Sequence, residues 1–342
     1  KSTHPERPTC SESSPSYIES RVEANLLVMK AVMYHYVGRD DTTPPYGYYY
    51  LDVDDFRRQL DYFESNYQLI GREEVLETVR GNRSPSEDDL VLTFDDGLTD
   101  HHEYVLPELI DRGLWGLFYV PAGPYLDDVV LDVHRTHALL GAHGGAAVSE
   151  ALSDIVTESM ITDDHREQFE SVVYESQDNQ TEVERAKRIL NYYIDDRARP
   201  DVLDALEGRL FEDPLQPEKI YLSESQIKDL ADAGMHVGSH SVTHTVMSKL
   251  SPDDQQRELT ESFRFLSDLL HGLPIRSYCH PYGGEHSYTD ETISLLEDAG
   301  CLFSFDVDSR PITASVLRNE RHRIPRYDCN EFRYGDATVS LG

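Results

Sequence analysis

Short apolar runs alternate with amphipathic stretches over most of the chain. Apolar runs of strand length bounded by turn residues are typical of buried strands, whereas apolar positions spaced three or four apart indicate one face of a helix. Repeated alternation of the two predicts a parallel sheet, of which a closed barrel is one form. Strands are predicted at 26–34, 90–94, 114–120, 235–238, 275–280 and 301–305, and helices at 54–65, 99–112, 223–233 and 251–272.

Capping residues mark the ends of two of these helices. Ser251 as N-cap and Pro252 at the first helical position begin a long helix, and Gly272 ends it. Ser223 and Gln226 have the spacing of a capping box, in which the side chain of each residue bonds the backbone N–H of the other. The predicted helices therefore have local signals as well as the right periodicity.

The alternation stops between residues 124 and 217, where helical periodicity dominates and Glu184–Ile194 is the clearest helix. This stretch is far longer than a connecting loop needs. Loops on the carboxyl side of barrel strands shape substrate sites, so we predict that 124–217 is a helical insertion that caps the site. A solvent-facing helical extension is the alternative. The barrel itself is expected to comprise residues 24–123 and 218–342, after a flexible acidic segment at 1–23.

The chain has a large excess of acidic residues, 64 against 31 basic ones, for a formal net charge of −33. Such a charge disfavours association with nucleic acid or with an anionic membrane surface. Only six of the basic residues are lysines. An acidic, lysine-poor surface suits a protein that works in high salt, where screening removes self-repulsion. An ordinary acidic cytoplasmic protein is the other interpretation, and composition leaves both open.

The sequence gives only weak signals for the cellular compartment and for the oxidation state of the cysteines. No apolar run approaches the length of about 18 residues that a transmembrane helix needs, and residues 1–23 lack the apolar core of a signal peptide. We expect a cytoplasmic protein, although a chain that begins at Lys1 leaves a removed leader open. Four cysteines without C-x-x-C spacing predict neither a zinc ribbon nor a disulfide framework, and Cys279 and Cys301 are predicted to be buried thiols. The oligomeric state is unknown.

Two segments place metal-binding side chains directly after predicted strands. Asp95 and Asp96 lie in the sequence TFDDG, and His240 and His244 lie in HSVTH, where we expect them to share one face of a helical turn. Alone, each has an ordinary interpretation, a turn or an incidental histidine pair. Together, one carboxylate and two imidazoles form a three-ligand set for a catalytic divalent metal, and the other carboxylate is available as a general base. The combination indicates metal-assisted hydrolysis.

A third segment, Pro281-Tyr282-Gly283, also follows a strand-like run. With it, the chain resembles the NodB-homology polysaccharide deacetylases, carbohydrate esterase family 4, over about residues 30–120 and 220–335, in the family's order. The resemblance implies a distorted (β/α) barrel that removes acetyl groups from N-acetylated amino sugars. It also implies that Asp95 is the base, that the metal is held by Asp96, His240 and His244, and that the 281–283 loop holds the oxyanion through the backbone N–H of Tyr282.

The chain departs from the family pattern at two positions. An arginine is common two residues before the proline of the third motif, where this chain has Cys279, and the C-terminal histidine of the fifth motif has no counterpart in residues 323–328. A subgroup resembling the poly-N-acetylglucosamine deacetylases shows similar losses and begins with a strand that ends in Tyr-His, as Tyr34-His35 does here. In that subgroup the histidine is the general acid, so the resemblance implies this role for His35. A hydrogen-bonded rim histidine is the alternative.

The expected cofactor is one divalent ion, zinc first, with cobalt, nickel or iron also compatible with an Asp-His-His set. The expected partner is a carbohydrate substrate whose sugar the sequence does not identify. Two other functions stay open. One is an O-acetyl esterase or a deformylase that acts on a sugar with the same site, and the other is a non-catalytic carbohydrate-binding protein that kept the fold.

Other residues with possible chemistry have weaker patterns. His134 and His137 are spaced three apart in the predicted insertion, and without a nearby carboxylate pair we expect them to be structural or substrate-facing. His280 and His286 are alternatives to His35 as the acid. The tyrosine-rich run 46–50 could stack on a sugar ring or pack as a loop.

Overall fold

A computed structural model describes residues 28–39, 49–157, 160, 181–195 and 197–339. The predicted segment 1–23 and most of the tyrosine-rich run lie outside these residues. The described strands are β1 Val28–Tyr34, β2 Val37–Gly38, β3 Tyr49–Asp52, β4 Gln68–Leu69, β5 Asp89–Phe94, β6 Gly116–Val120, β7 His236–Ser239, β8 Arg276–Cys279, β9 Cys301–Phe305, β10 Ile312–Thr313, β11 Tyr327–Asp328 and β12 Thr338–Val339.

One curled parallel sheet forms the centre of the fold. Its strands follow the order β1, β5, β6, β7, β8, β9, and every neighbouring pair on this path is parallel. Strands β5 and β6 are buried at every position, as expected for strands covered on both faces. Helices flank the sheet, and the predicted distorted (β/α) barrel is confirmed.

A short segment near the carboxyl terminus lies between the two outer strands of this path. Ile324 forms a parallel bridge with Phe305 of β9, and β11 pairs in parallel with Val32 and Met33 of β1. Residues 324–328 therefore connect the outer edge of β9 to the second half of the outer edge of β1, whose first two residues pair with β10. This placement brings the side chain of Arg326 into the barrel, where it is fully buried.

The helices begin and end close to the predicted positions. Phe56, Leu60 and Phe63 are buried on one face of the first helix, and the Ser251 side chain accepts a hydrogen bond from the backbone N–H of Asp254. The helices are α1 Val53–Asn66, α2 Arg72–Val79, α3 Leu106–Arg112, α4 Gly123–Leu126, α5 Asp132–Ile155, α6 Thr181–Arg188, α7 Arg199–Leu210, α8 Glu224–Asp232, α9 Pro252–Leu269, α10 Asp290–Asp298 and α11 Ala314–Asn319. One π-helical turn, His101–Val105, precedes α3, and another, Ile189–Tyr193, follows α6.

Helices α4 to α7 lie between β6 and β7 in the chain. Three of them, α5, α6 and α7, share an apolar core that includes Leu139, Val148, Ala186 and Leu203. Helix α5 is kinked at Gly144, whose φ of 75° is a left-handed conformation that favours glycine. The domain boundaries at 124 and 217 and the capping role stay predictions. Among the described residues, no helix combines the length and apolar character that crossing a membrane requires.

The acidic composition leads to a first prediction, on stability in salt. If the 64 carboxylates are an adaptation to high ionic strength, screening of their repulsion should stabilise the fold. We expect the melting temperature, followed by circular dichroism, to rise with potassium chloride well beyond physiological concentration. A melting temperature that stays flat or falls over that range would favour the ordinary acidic protein.

Candidate active site

The residues predicted for the site follow the carboxyl ends of different parallel strands. His35 follows β1, Asp95 follows β5, His240 follows β7 and the 281–283 loop follows β8. The backbone hydrogen bonds of the sheet extend one residue past the ends of β5 and β7: Asp95 N donates to Tyr34 O at 2.9 Å, and His240 N donates to Val120 O at 3.1 Å. Since these ends share one edge of the barrel, the fold brings the two motifs together at its mouth.

Asp96 lies at the centre of this cluster. Its Oδ1 atom is 3.2 Å from His240 Nε2 and 3.3 Å from His244 Nε2. These distances match the separation of about 3.4 Å between two ligands that each lie about 2.1 Å from a tetrahedral ion. Oδ1 is buried and has no hydrogen-bond partner among the described residues. Asp96 also has a φ of 75°, which few residues other than glycine adopt and which aims its carboxylate away from the strand direction.

The histidine pair lies on an irregular loop, so the predicted helical turn is wrong. Ser241 and His244 have φ values of 64° and 56°, outside the helical region. The loop is held from outside instead of by its own backbone: the N–H groups of Val242 and Thr243 donate to Glu258 Oε2 at 2.7 and 2.9 Å. Because Glu258 satisfies those donors, the loop needs no helical hydrogen bonds.

A carbonyl oxygen fixes the orientation of the His240 ring. Its Nδ1 lies 2.9 Å from the carbonyl oxygen of Cys279, which only accepts hydrogen bonds. Nδ1 therefore donates this hydrogen bond, and Nε2 is the nitrogen that faces Asp96 and is available as a metal ligand when the ring is neutral. This is the arrangement of a histidine prepared to bind a metal.

Asp95 has different surroundings from its neighbour. Arg326 donates to both of its oxygens, Nη1 to Oδ1 at 2.8 Å and Nη2 to Oδ2 at 2.7 Å. The guanidinium also donates to Thr93 Oγ1 at 2.9 Å, to the carbonyl oxygen of Asp306 at 3.2 Å and to Cys279 Sγ at 3.0 Å. All donors of a buried cation are thus directed at fixed acceptors, and the bidentate pair holds the carboxylate in one orientation.

This ion pair decides the protonation state of Asp95. Burial favours the neutral acid, but the charge and hydrogen bonds of Arg326 outweigh it and lower the pKa of Asp95 to about 2. Asp95 is therefore a carboxylate at all physiological pH values. Sequence reasoning assigned no role to Arg326. The sequence indicated such a residue only indirectly. Because Cys279 occupies the position of the family's arginine, a cation beside Asp95 had to come from another part of the chain.

His35 lies at the edge of the same cluster. Its Nε2 atom is 4.0 Å from Asp95 Oδ2, and its side chain is 40% exposed. Two residues after the first motif hold its backbone: His101 Nε2–H donates to the carbonyl oxygen of His35 at 2.8 Å, and Val37 N donates to Asp100 Oδ2 at 2.8 Å. Burial lowers the pKa of His101 to about 4, so this donor is a neutral imidazole. The first motif and its flank therefore position the segment that carries His35.

The 281–283 loop reaches the site in a strained conformation. Tyr282 and Gly283 have φ values of 65° and 57°, and a Cβ atom on Gly283 would lie 2.2 Å from Val307 Cγ2. No other residue fits that position. Asp306, which follows β9, holds the loop, since Gly284 N and Val307 N both donate to its Oδ1. Ring centroids of Tyr282 and His244 are 5.1 Å apart, so the loop lies beside the histidine pair.

The remaining histidines that the sequence singled out contact different groups. His280 is buried, and its Nε2–H donates to the carbonyl oxygen of His322 at 2.9 Å. His137 Nδ1 is 3.3 Å from Tyr36 Oη. His134, expected to be structural or substrate-facing, has its Nε2 3.2 Å from Asp96 Oδ2, in contact with the candidate metal carboxylate. As predicted, Cys279 and Cys301 are buried free thiols.

Two groups of described residues have ligand atoms close enough to hold an ion, and they share His240. One is Asp96, His240 and His244, and the other is Asp95, His240 and Cys279. The first fits a divalent metal, because its carboxylate oxygen is buried without a hydrogen-bond partner. The second does not fit, since Arg326 occupies both oxygens of Asp95 and lies 3.0 Å from Cys279 Sγ. A buried cation there opposes the binding of another.

A curled parallel barrel with buried aspartates and histidines at its carboxyl edge has the architecture of a (β/α)-barrel enzyme. The family model for polysaccharide deacetylases matches residues 82–303, more than half of the chain. The chain belongs to the polysaccharide deacetylase family.

Individual relatives are more distant. The chain is 32% identical over 98 residues to YxkH of Bacillus subtilis (strain 168), a protein assigned provisionally as a polysaccharide deacetylase. That match covers 28% of this chain and 33% of YxkH, so the chain spans about a third of the relative it matches. Among solved structures, Streptococcus pyogenes deacetylase PplD in complex with acetate has a TM-score of 0.52 at 16% identity, covering 88% of this chain and 92% of that one. The BpsB deacetylase domain from Bordetella bronchiseptica has a TM-score of 0.50 at 12% identity, covering 88% and 96%. These structures support the fold alone.

Proposed function

We propose that this protein is a metal-dependent deacetylase that hydrolyses the acetamide of an N-acetylated amino sugar in a polysaccharide or glycan precursor. The proposal rests chiefly on the contrast between two adjacent carboxylates. Asp96 directs a buried oxygen at two imidazoles, whereas Asp95 is held by Arg326 and faces His35. One carboxylate is thus suited to bind a cation and the other to handle protons. A binding protein would need only the first.

Asp96, His240 and His244 would hold the ion, with zinc as the first choice. A divalent ion at this position supplies Lewis acidity that activates water and polarises an acyl oxygen. Asp95 accepts the proton of the attacking water. With its pKa near 2 it is ionised and able to accept that proton, although it is a weak base. Arg326 takes the place of the family's third-motif arginine. It keeps Asp95 ionised and in one orientation.

The remaining steps fall to the rim of the barrel. His35 donates a proton to the leaving nitrogen, which is too basic to depart as an anion near neutral pH. The backbone N–H of Tyr282 contributes to holding the developing oxyanion. Its loop is fixed by Asp306, so this donor is in place before the reaction and costs little reorganisation. The helices between β6 and β7 are proposed to cover the sugar.

Matched substrates test this proposal against its alternatives. Purified protein loaded with zinc is incubated with oligomers of N-acetylated, N-formylated and O-acetylated amino sugars, and released acid and free amine are quantified. We expect acetate and free amine in equal amounts from the N-acetylated oligomer. Acetate from the O-acetylated oligomer alone would indicate an esterase, and formate alone a deformylase. Binding without release of either acid would indicate a carbohydrate-binding protein.

The acid role of His35 gives a second prediction. His35→Ala should keep the metal, flatten the alkaline limb of the pH–rate profile and slow amide substrates more than activated esters, whose leaving groups need no proton. His286→Ala is the comparison variant, because His286 is the other rim histidine considered for this role. Equal losses on both substrate types, or a selective loss of amide hydrolysis in His286→Ala instead, would remove His35 from the mechanism.

A further inference from the structure

His134 comes from helix α5, in the region between β6 and β7, and lies against the candidate metal carboxylate. The side chain is 1% exposed, and its Nε2 atom is 3.2 Å from Asp96 Oδ2. The other oxygen of the same carboxylate, Oδ1, is the one that faces His240 and His244. The two oxygens of Asp96 therefore have separate surroundings.

The other ring nitrogen of His134 contacts a tyrosine hydroxyl. His134 Nδ1 is 2.6 Å from Tyr221 Oη, and Tyr221 Oη accepts a hydrogen bond from Leu131 N at 3.0 Å. Tyr221 is itself fixed beside the first motif, since it forms an antiparallel bridge with Leu98. The atoms from Leu131 N to Asp96 Oδ2 thus form one continuous buried chain.

The tyrosine sets the tautomer of the His134 ring. Because Tyr221 Oη already accepts the N–H of Leu131, its own hydroxyl proton is directed to His134 Nδ1, 2.6 Å away. The ring proton of His134 then lies on Nε2, which faces Asp96 Oδ2 at 3.2 Å. Nε2–H of His134 and Asp96 Oδ2 thus form a buried charge–dipole contact at 3.2 Å without hydrogen-bond geometry, whereas the opposite tautomer would set a lone pair against a negative oxygen.

We propose that His134 is a positioning residue for the metal: it holds Oδ2 of Asp96 and so directs Oδ1 toward His240 and His244. This inference rests on the proposed metal site. Polar partners outside the coordination sphere orient metal ligands in this way, and losing one typically costs 10- to 100-fold in metal affinity. The helices between β6 and β7 would then form part of the metal centre as well as a cover over it.

Metal affinity tests this directly, without an activity assay. Zinc affinity is measured by competition with a chromophoric chelator for the whole protein and for His134→Ala, His134→Gln and Tyr221→Phe. We expect His134→Ala to weaken zinc binding about 10- to 100-fold. His134→Gln should recover part of the loss, because its amide N–H can reach the position of Nε2–H. Tyr221→Phe should show a smaller loss, and His143→Ala, further along α5, should show none.

The electronic spectrum of the cobalt-substituted protein separates positioning from direct ligation. At saturating cobalt, His134→Ala should keep the band positions and intensities of the wild type, because its inner ligands are unchanged. Wild-type zinc affinity in His134→Ala would overturn the inference, and so would a saturated spectrum that reports a lost nitrogen ligand. If the wild-type protein binds no divalent metal, the proposed function fails together with the inference. If the wild-type protein binds a divalent metal and the His134 variants bind it with the same affinity, the inference fails but the proposed function stands.

Discussion

Replacing His244 with alanine should remove the metal, whereas replacing Cys279 with alanine should leave it in place. The expected wild-type content is about one divalent ion per chain. His240 belongs to both groups of candidate ligands, so His244 and Cys279 are the residues that distinguish them. The physical reason for the expected difference is charge: Asp96 Oδ1 is buried without a hydrogen-bond partner, whereas Arg326 neutralises Asp95 beside Cys279.

Metal content is measured by plasma mass spectrometry after dialysis, and activity before and after a chelator, with zinc or cobalt added back. We expect the chelator to abolish activity and the added ion to restore it. The double variant His240→Ala, His244→Ala is the strongest form of the test. Undiminished metal in that variant, or loss of metal in Cys279→Ala, would contradict the assignment to Asp96, His240 and His244.

Asp95→Asn should keep its metal and lose at least about a hundredfold in turnover, the usual scale for a general base. The substitution also leaves the Arg326 guanidinium buried without a counter-charge, so a loss of stability is expected as well. Turnover must therefore be measured well below the melting temperature of the variant. The loss of turnover and the loss of stability have different origins, so the experiment needs a control variant that loses stability alone.

Asp89 provides that control, because it begins the strand that Asp95 follows and carries a similar ion pair. It is buried at the start of β5, and Arg83 donates to both of its oxygens at 2.6 and 2.8 Å. Asp89→Asn should lower the melting temperature and leave turnover per folded molecule unchanged. If Asp95→Asn retains full turnover while Asp96→Asn retains its metal, the roles of the two adjacent aspartates are wrong.

Local sequence patterns were sufficient for the six strands of the central parallel path and for most ends of the predicted helices. The buried face of α1 and the N-cap of α9 depend on spacings of three or four residues, which the chain itself specifies. The pairing of the two main motifs was also within reach, since residues that follow parallel strands meet at one edge. The irregular conformation of the His240–His244 loop was not, because its backbone is held by the Glu258 side chain of the following helix, α9, and not by its own hydrogen bonds.

The residues that only the tertiary structure brought to the site come from far along the chain. Arg326 is 231 positions from Asp95 and reaches it because residues 324–328 lie between β9 and β1. His134 reaches Asp96 from the region that the sequence predicted as a cap, but no pattern in the sequence indicated a contact with the metal carboxylate. Neither has a motif or a fixed spacing relative to its partner.

By itself, the sequence determined the parallel (β/α) architecture, the family, and the identity of the two aspartates and two histidines at its mouth. Those features depend on periodicity and on short motifs, both of which are local. Only the tertiary structure decided how each carboxylate is held, with Arg326 on both oxygens of Asp95 and His134 beside one oxygen of Asp96. The reason is that a buried charge takes its counter-charge and hydrogen bonds from whichever element packs against it, and packing is set by the whole fold.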